Sequence, residues 1–450
     1  MKKAVLFIFI ILLFACNNGD GDSTGSSSSS EPDEPSSSSS GNAPTTSSSS
    51  LNSNSSSSSN NSSNSGSGGD IEIGSYAVLA TNQNSSKIEE MYNKWINTYY
   101  ITFEADDADP AFSPAGAIGS ARIKAAFDGY NNGSRTCSEA IGYGMLATSL
   151  MEDWGRFNKL LAYSKAFRIK NTALMRWNID GFTTASGGSA TDADLDILAS
   201  LFIAYRKTNN QSYLNDAIDI GASIYEWEVE SNSKLILPAQ YSDPLIKNGI
   251  FHNISYFSLA ALKTLAKYDK NRDWNAVLDA NLSYMEKVQN AGDGLWPDWS
   301  DPSGVPKNPE NGSSDALTAS DGTKLNSYEA YYKESVRIPW RIAWYYHWYG
   351  DSRAKAMLDK GFSFLRSAGV NTSNDLKNFY SYTGGKQGSV TAGVQRWISL
   401  CTLGMGNSAN QGWLNDCNER SFNTVYNTTL SSYYSSSLQL IYTMLFNGRF

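Results

Sequence analysis

Cys137-Ser138-Glu139-Ala140-Ile141-Gly142-Tyr143-Gly144-Met145 places an acidic side chain just after a serine of the kind that caps helices, and before two glycines that let a second body come close. It reads as the first turns of a helix packed tightly on a neighbour. Apolar residues recur at the same three- and four-residue spacing along the chain, with Gly, Pro, Asn or Asp between the runs, which argues for helices and against strands. Helices are expected over 87–100, 139–152, 156–168, 192–208, 213–228, 255–268, 274–289, 328–349, 353–367, 390–401, 412–426 and 435–446. Twelve helices joined pairwise by loops suit an all-α fold, an (α/α)6 barrel: a toroid of six helical hairpins whose inner helix ends and loops line a cleft on one face. A tandem-repeat solenoid is the structural rival, but no motif repeats at a fixed period. The connections 104–120, 178–190, 235–253 and 291–327 are longer than helix packing requires, and long ordered loops in compact domains usually serve function.

The first sixteen residues read as a processed signal. Met1-Lys2-Lys3 is basic, and 4–14 is an apolar run of signal length, short of a membrane span. Leu13-Phe14-Ala15-Cys16 resembles a bacterial lipobox, so Cys16 is expected to be lipidated and to tie the protein to a membrane; Phe14 is an unusual occupant, and plain secretion is the alternative. Asn17-Asn18 follow, and the absence of Asp just after the cysteine fits outer-membrane sorting in a cell with two membranes, so a cell-surface or outer-membrane location is expected. Residues 17–69 are Ser, Asn, Gly and Pro with almost nothing apolar, a composition that cannot offset the entropy of ordering and reads as a tether. Residues 70–450, roughly 380, are long enough for one large closed architecture or two smaller units, and with no second linker they read as one domain; a monomer is expected.

Composition excludes several classes of function. The formal charge is −8 and Lys and Arg are not clustered, which argues against nucleic acid as a partner. Only His252 and His347 are present, so a His-rich metal site or a Ser/His/Asp triad is not expected, and no phosphate loop or G-x-S-x-G occurs. Cys137, Cys401 and Cys417 remain once Cys16 takes the lipid; Cys401 with Cys417 is a conceivable pair, but the chain is no disulfide framework.

Three acidic clusters sit among aromatic residues: Glu139, the run Asp192-Ala193-Asp194-Leu195-Asp196, and Glu334 three residues before Arg337. Cleavage of a sugar acetal needs a protonated carboxylic acid to donate to the leaving oxygen and an ionised carboxylate to activate water. Glu139 is the expected acid. Its helix-start position favours the charged form, so Asp192 or Asp194, with partial desolvation by Tyr143 and tryptophans, must keep the proton on it. Asp192 and Asp196 share a helix face while Asp194 points elsewhere. Calcium is not expected there, because the run lacks the glycine turn and terminal glutamate of an EF-hand; neither metal nor cofactor is called for. Arg337 is placed to keep Glu334 ionised as the base. Each acid also has an ordinary structural explanation: a helix-start acid, a solvated cap, a helix ion pair. Trp177, Tyr256, Phe257, Trp296, Trp299, Trp340 and Trp344 are candidates to stack on sugar rings, with about three of them expected to face a ligand and the rest to pack the core. Tyr143 and Arg337 complete the expected substrate contacts.

In order and spacing these segments resemble family 8 of the glycoside hydrolases. The resemblance covers most of the module and rests on Ser138-Glu139-Ala140-Ile141-Gly142-Tyr143-Gly144-Met145, Met175-Arg176-Trp177, Ala190-Thr191-Asp192-Ala193-Asp194-Leu195-Asp196-Ile197 and Ile254-Ser255-Tyr256-Phe257-Ser258. It continues through Trp296-Pro297-Asp298-Trp299, Glu334-Ser335-Val336-Arg337-Ile338-Pro339-Trp340-Arg341 and Tyr433-Tyr434-Ser435-Ser436-Ser437-Leu438. It implies a bacterial inverting enzyme with an (α/α)6 barrel acting on a β-1,4-linked polysaccharide: cellulose, mixed-linkage glucan, xylan or chitosan. It also implies that Glu139 is the acid, that an aspartate of the Asp192/Asp194 pair binds the sugar at the cleavage point, and that Glu334 stands where the cellulase-like branch has an aspartate base. Ala140 replaces the usual glycine and Glu334 is longer than Asp. Some members draw the base from the preceding loop, which keeps Glu329, Asp321 and Asp301 as alternatives. The Arg-Ile-Pro-Trp-Arg run favours β-glucan over xylan, and the acidic charge suits chitosan. A surface glycan-binding protein without turnover is the rival from another class.

Overall fold

The computed structural model describes residues 73–104, 113, 114, 116–126, 133–183, 187–240, 251–309, 315–426 and 429–450. The expected signal 1–16, its Cys16 and the tether 17–69 lie outside the described residues, as do parts of each of the four long connections. Twelve α-helices are described: α1 Ser85–Tyr99, α2 Ser138–Leu150, α3 Trp154–Ala166, α4 Thr191–Thr208, α5 Gln211–Trp227, α6 Leu259–Tyr268, α7 Trp274–Ala291, α8 Ile338–Tyr349, α9 Ser352–Ser367, α10 Val394–Cys401, α11 Gln411–Asn423 and α12 Tyr433–Phe446.

Odd and even helices differ in kind. The odd ones bury a single stripe, as α1 does with Ile88, Met91, Tyr92, Trp95, Ile96 and Tyr99 at helical spacing. The even ones are buried over most of their length, and every residue of α2 and of α12 is buried. A helix apolar all round belongs inside, and the even helices form a closed inner ring, α2 against α4, α6, α8, α10, α12 and back to α2. Each odd helix lies outside it, α3 on α2, α5 on α4, α7 on α6, α9 on α8, α11 on α10 and α1 on α12. This is the (α/α)6 barrel. Gly142 sets the closest approach within the ring, since a Cβ there would stand 3.1 Å from Asp196 Cβ and 3.4 Å from Ala193 O.

The helix starts differ in the same way. Asn84, Asp153, Asn210, Asp273 and Asp351 cap α1, α3, α5, α7 and α9 with side-chain acceptors, whereas no inner helix has a side-chain cap. Ser138, expected as a cap, is instead the first residue of α2, with Cys137 at the cap position. At the opposite, C-terminal side of the ring the segment 74–80 covers the ends of α8 and α12 and the 3-10 turn after α10. Gly74 and Tyr76 donate to Trp348 O and His347 O, Val78 to Met405 O and Ala80 to Phe446 O, at 2.9 to 3.1 Å. This strap satisfies helix-end carbonyls that would otherwise lack a donor.

Three expected helices start late, among them 390–401, where α10 begins at Val394. The run 255–268 opens with a 3-10 turn, Ile254–Tyr256, held by Asn253, whose Oδ1 accepts from Ser255 N–H at 3.0 Å. The run 328–349 is interrupted, because Pro339 is tolerated only in a first turn, so α8 starts at Ile338 and the stretch before it folds as 3-10 turns and a short strand. Short antiparallel pairs also occur, mostly where loops were expected, though Tyr100 and Ala330–Tyr331 fall in expected helices: β1 Tyr100–Thr102 with β2 Ala121–Ile123, β3 Arg135–Cys137 with β4 Asn178–Asp180, β5 Ala316–Thr318 with β6 Lys324–Asn326, and β7 Ala330–Tyr331 with β8 Tyr380–Ser381. None exceeds three residues, too few for an alternating pattern to show. Cys401 and Cys417 form a disulfide that joins α10 to α11.

Candidate active site

Three carboxylates on different parts of the inner ring meet one guanidinium. Glu139 lies in the first turn of α2, where β3 leads directly into the helix; Asp192 lies in the first turn of α4; Glu334 and Arg337 flank the turn that opens α8. Arg337 Nη1 donates to Glu139 Oε2 at 2.6 Å and to Asp192 Oδ2 at 2.7 Å, and Nη2 donates to Glu334 Oε2. The Arg337 side chain has 0% exposure, against 3% for Glu139, 2% for Asp192 and 8% for Glu334. The whole cluster is buried, with Glu334 its most exposed member. Asn253 Nδ2 donates to Glu334 Oε2 at 2.9 Å, and the Tyr433 hydroxyl donates to Glu139 Oε1 at 3.4 Å. Asp192 Oδ1 is buried without a hydrogen-bond partner among the described residues.

Burial, the largest influence on Glu139, pushes its carboxyl up to about 8; Arg337 opposes this, and Asp192 and Glu334 add to it as like charges. The 2.6 Å contact with Arg337 alone would favour the carboxylate. Desolvation and two like charges outweigh one cation, so Glu139 holds a proton at neutral pH. Burial also raises Glu334, but there Arg337 acts against it, as does the Asn253 amide that hydrogen-bonds the charged form. The like charges of Asp298 and Asp192 add to the rise of Glu334, so both carboxyls stand above their ordinary value.

Asp194 is not part of this cluster. Its Oδ1 accepts from Met175 N–H at 2.9 Å, and it faces the buried Glu228, whose charge, after burial, is the largest influence raising it. The alternation of the Asp run is the reason: two residues along the helix turn Asp194 away from Asp192. Asp196, on the Asp192 face, is taken by Arg341 at 2.6 and 3.0 Å. The three loop acids are engaged in local turns or at the surface. Glu329 Oε2 accepts from Asn326 N–H and its side chain, Asp321 pairs with Lys386 at 2.7 Å, and Asp301 accepts from Ser303 and Val305.

The aromatic residues divide. Tyr256 lies under the Arg337 guanidinium at 5.1 Å, and Trp299 lies 6.4 Å from the Tyr256 ring. Trp177 is 7% exposed and passes its carbonyl to Ser138 N–H at 2.8 Å, next to the acid. Trp296 and Trp340 correct the expectation: both are fully enclosed, Trp296 donating to Met285 O and Trp340 stacked on Tyr442 at 5.3 Å, so they pack the core. Trp344 and Phe257 are enclosed as well, and Tyr143 has no free ring face, only a hydroxyl influenced by the charge of Glu139. Asn253, Tyr433 and Tyr434 are not among the site residues expected from the sequence, although Tyr433-Tyr434 opens one of the motifs that carry the resemblance. The only available signal was that each stands one position before, or at the start of, a motif flanking an inner helix.

The matches to known proteins point the same way as the geometry. Residues 76–449 match the model of glycosyl hydrolases family 8. A beta-glucanase from Niallia circulans is 30% identical over 338 residues, 71% of this chain and 78% of that protein. Endoglucanase 2 of Ruminiclostridium josui is 28% identical over 69% of this chain, which spans 61% of that relative's length. Among solved structures, the apo beta-1,3-1,4-glucanase from Paenibacillus sp. X4 superposes with a TM-score of 0.67 at 25% identity, covering 84% of this chain and 97% of that one. A family match that runs from the strap behind the ring to the penultimate residue takes in every inner helix and all the carboxylates around Arg337, and by it this chain belongs to family 8 of the glycosyl hydrolases.

Proposed function

We propose that this protein is an inverting hydrolase of internal β-1,4 bonds in a β-glucan, with Glu139 as acid, Glu334 as base and Asp192 binding the sugar at the cleavage point. The observation that carries the reading is the shared guanidinium. Glu139 and Glu334 occupy different nitrogens of Arg337, which for ordinary hydrogen-bond lengths puts the bound oxygens at most about 8 Å apart, close enough to act on one glycosidic bond; inversion is what the family resemblance implies, and the configuration of the first product tests it. Glu139 gives its proton to the glycosidic oxygen as the C1–O bond breaks. Glu334 takes a proton from a water whose oxygen bonds to C1 on the opposite face, so the anomeric configuration inverts. The turnover ends with Glu139 ionised and Glu334 protonated, and exchange with solvent restores both. The unpartnered Oδ1 of Asp192 suits a sugar hydroxyl, and Tyr256 and Trp299 suit the sugar face.

β-Glucan is preferred because the relatives named above are an endoglucanase, a beta-glucanase and a beta-1,3-1,4-glucanase. Xylan and chitosan are the competing substrates, and binding without turnover the competing function. Release of reducing ends by the pure protein from β-glucan, carboxymethyl cellulose, xylan and chitosan separates all of these. The first product should carry the inverted anomeric configuration by NMR; retention would contradict the carboxylate–water–carboxylate arrangement. The proposal extends to location: a lipid on Cys16 and a surface or outer-membrane position. A Cys16→Ala protein that still fractionates with membranes would remove the lipid from the account.

A further inference from the structure

Asp298 is a buried carboxylate, 3% exposed, with no ion-pair partner among the described residues, and the chemistry above does not use it. Its acceptors are filled by one short stretch of backbone. Oδ1 accepts from the N–H groups of Tyr332, Lys333 and Ser335 at 3.2, 3.0 and 3.0 Å and from the Ser335 hydroxyl at 2.6 Å, while Oδ2 accepts from Lys333 N–H at 2.9 Å. Asp298 N–H in turn donates to Ala330 O at 3.0 Å. These are the residues on either side of Glu334, in the interrupted segment where Pro339 prevents a helix. A stretch with so little regular structure has no ladder of its own to fix it, and the carboxylate supplies the acceptors instead.

Two residues further on, the same strand of chain holds the other side of Glu334. Ser300 and His252 exchange backbone hydrogen bonds at 2.7 and 3.1 Å, and His252 precedes Asn253, whose amide holds Glu334 Oε2. Residues 298–300 therefore fix both the backbone that carries the Glu334 side chain and the group that orients its carboxylate.

We propose that Asp298 is a positioning residue for the water-activating group, fixing Glu334 through the backbone of 332–335. This rests on the reading of Glu334 as the base. Glu334 faces Arg337 from its own turn, Glu139 from α2, Asp192 from α4, Tyr256 from the turn before α6 and Tyr434 from α12, and Asp298 adds a like charge that favours its protonated form.

The test compares Asp298→Asn, Glu334→Gln and the double variant by kcat, KM and pH profile on soluble β-glucan. Asp298→Asn should lower kcat about 10- to 100-fold, the scale of an ångström-sized misplacement, with KM altered less than about threefold, and should move the acidic limb of kcat to lower pH. In the Glu334→Gln background the same substitution should change the residual rate by less than about twofold, because a residue that acts through Glu334 has nothing left to position. A wild-type kcat and acidic limb in Asp298→Asn, or an equal loss in both backgrounds, would overturn the proposal. Should Asp298→Asn not fold, Ser335→Ala, which removes one contact to the same carboxylate, should cost about two- to fivefold and only where Glu334 is present; an equal cost in both backgrounds overturns the proposal again. Wild-type activity in Glu334→Gln alone would instead remove the base assignment on which it stands.

Discussion

Arg337 and Arg341 are four residues apart and equally buried, with 0% and 1% exposure, yet they sit in opposite kinds of surroundings. Arg341 has one carboxylate, Asp196, held by both terminal nitrogens, and its Nε donates to Ser255 O. One cation meets one anion and every strong valence is filled. Arg337 has three carboxylates around it. If all were ionised the cluster would carry two uncompensated negative charges in a desolvated place, so a proton must reside there, and burial directs it to Glu139. A balanced buried pair is scaffolding, and an unbalanced one stores a proton for chemistry.

The comparison breaks most sharply at Glu139. Glu139→Gln should lower kcat by about three to four orders of magnitude, near the upper end of what general acid catalysis supplies, while retention of the protein on insoluble glucan persists; appreciable turnover by the variant would dissolve the distinction. At Arg341 the effect should fall on folding instead. Asp196→Ala leaves a buried guanidinium without its anion and should destabilise by about 3–5 kcal/mol in urea melts; an unchanged midpoint would mean the pair is not the scaffold described. The third difference is in pH. The folded protein keeps the Glu139 proton up to about 8, whereas the unfolded chain releases it near 4.5. Between those values stability should fall as pH rises, kcat should decline on an alkaline limb about 8, and Glu139→Gln should remove that part of the stability slope. Chemical denaturation at several pH values checks the sign. The smallest effects sharpen the contrast from outside: Glu329→Gln, Asp321→Asn and Asp301→Asn should each change kcat by less than about twofold, as surface substitutions usually do. A large loss in one of them would move the base to the loop.

The barrel was legible because its signal is repetitive. Twelve apolar periodicities, each long enough to average out, locate helices that the structure places within a few residues at most ends. It failed where periodicity and punctuation conflict, as at 328–337, where aromatic and apolar residues continue the helical rhythm but Pro339 ends it. The acids could be picked out from the sequence because they sit in the first turns of inner helices, next to glycine or alternating aspartates. Their partners could not. That Arg337 spans Glu139, Asp192 and Glu334 joins positions up to 198 residues apart, and no local pattern encodes such a meeting. Trp296 and Trp340 show the same limit from the other side, since an indole in the core and one in a cleft are spelled alike.

The strap formed by 74–80 has a consequence for how the molecule is presented. It crosses the rear of the ring, and the last residue, Phe450, packs beside it against Trp344 at 4.9 Å. Both termini of the described fold are thus docked at the back, while the acids lie at the opposite, N-terminal ends of inner helices. A bead, fusion partner or support joined at either terminus would pull on the rear of the barrel and leave the front free to meet a polymer.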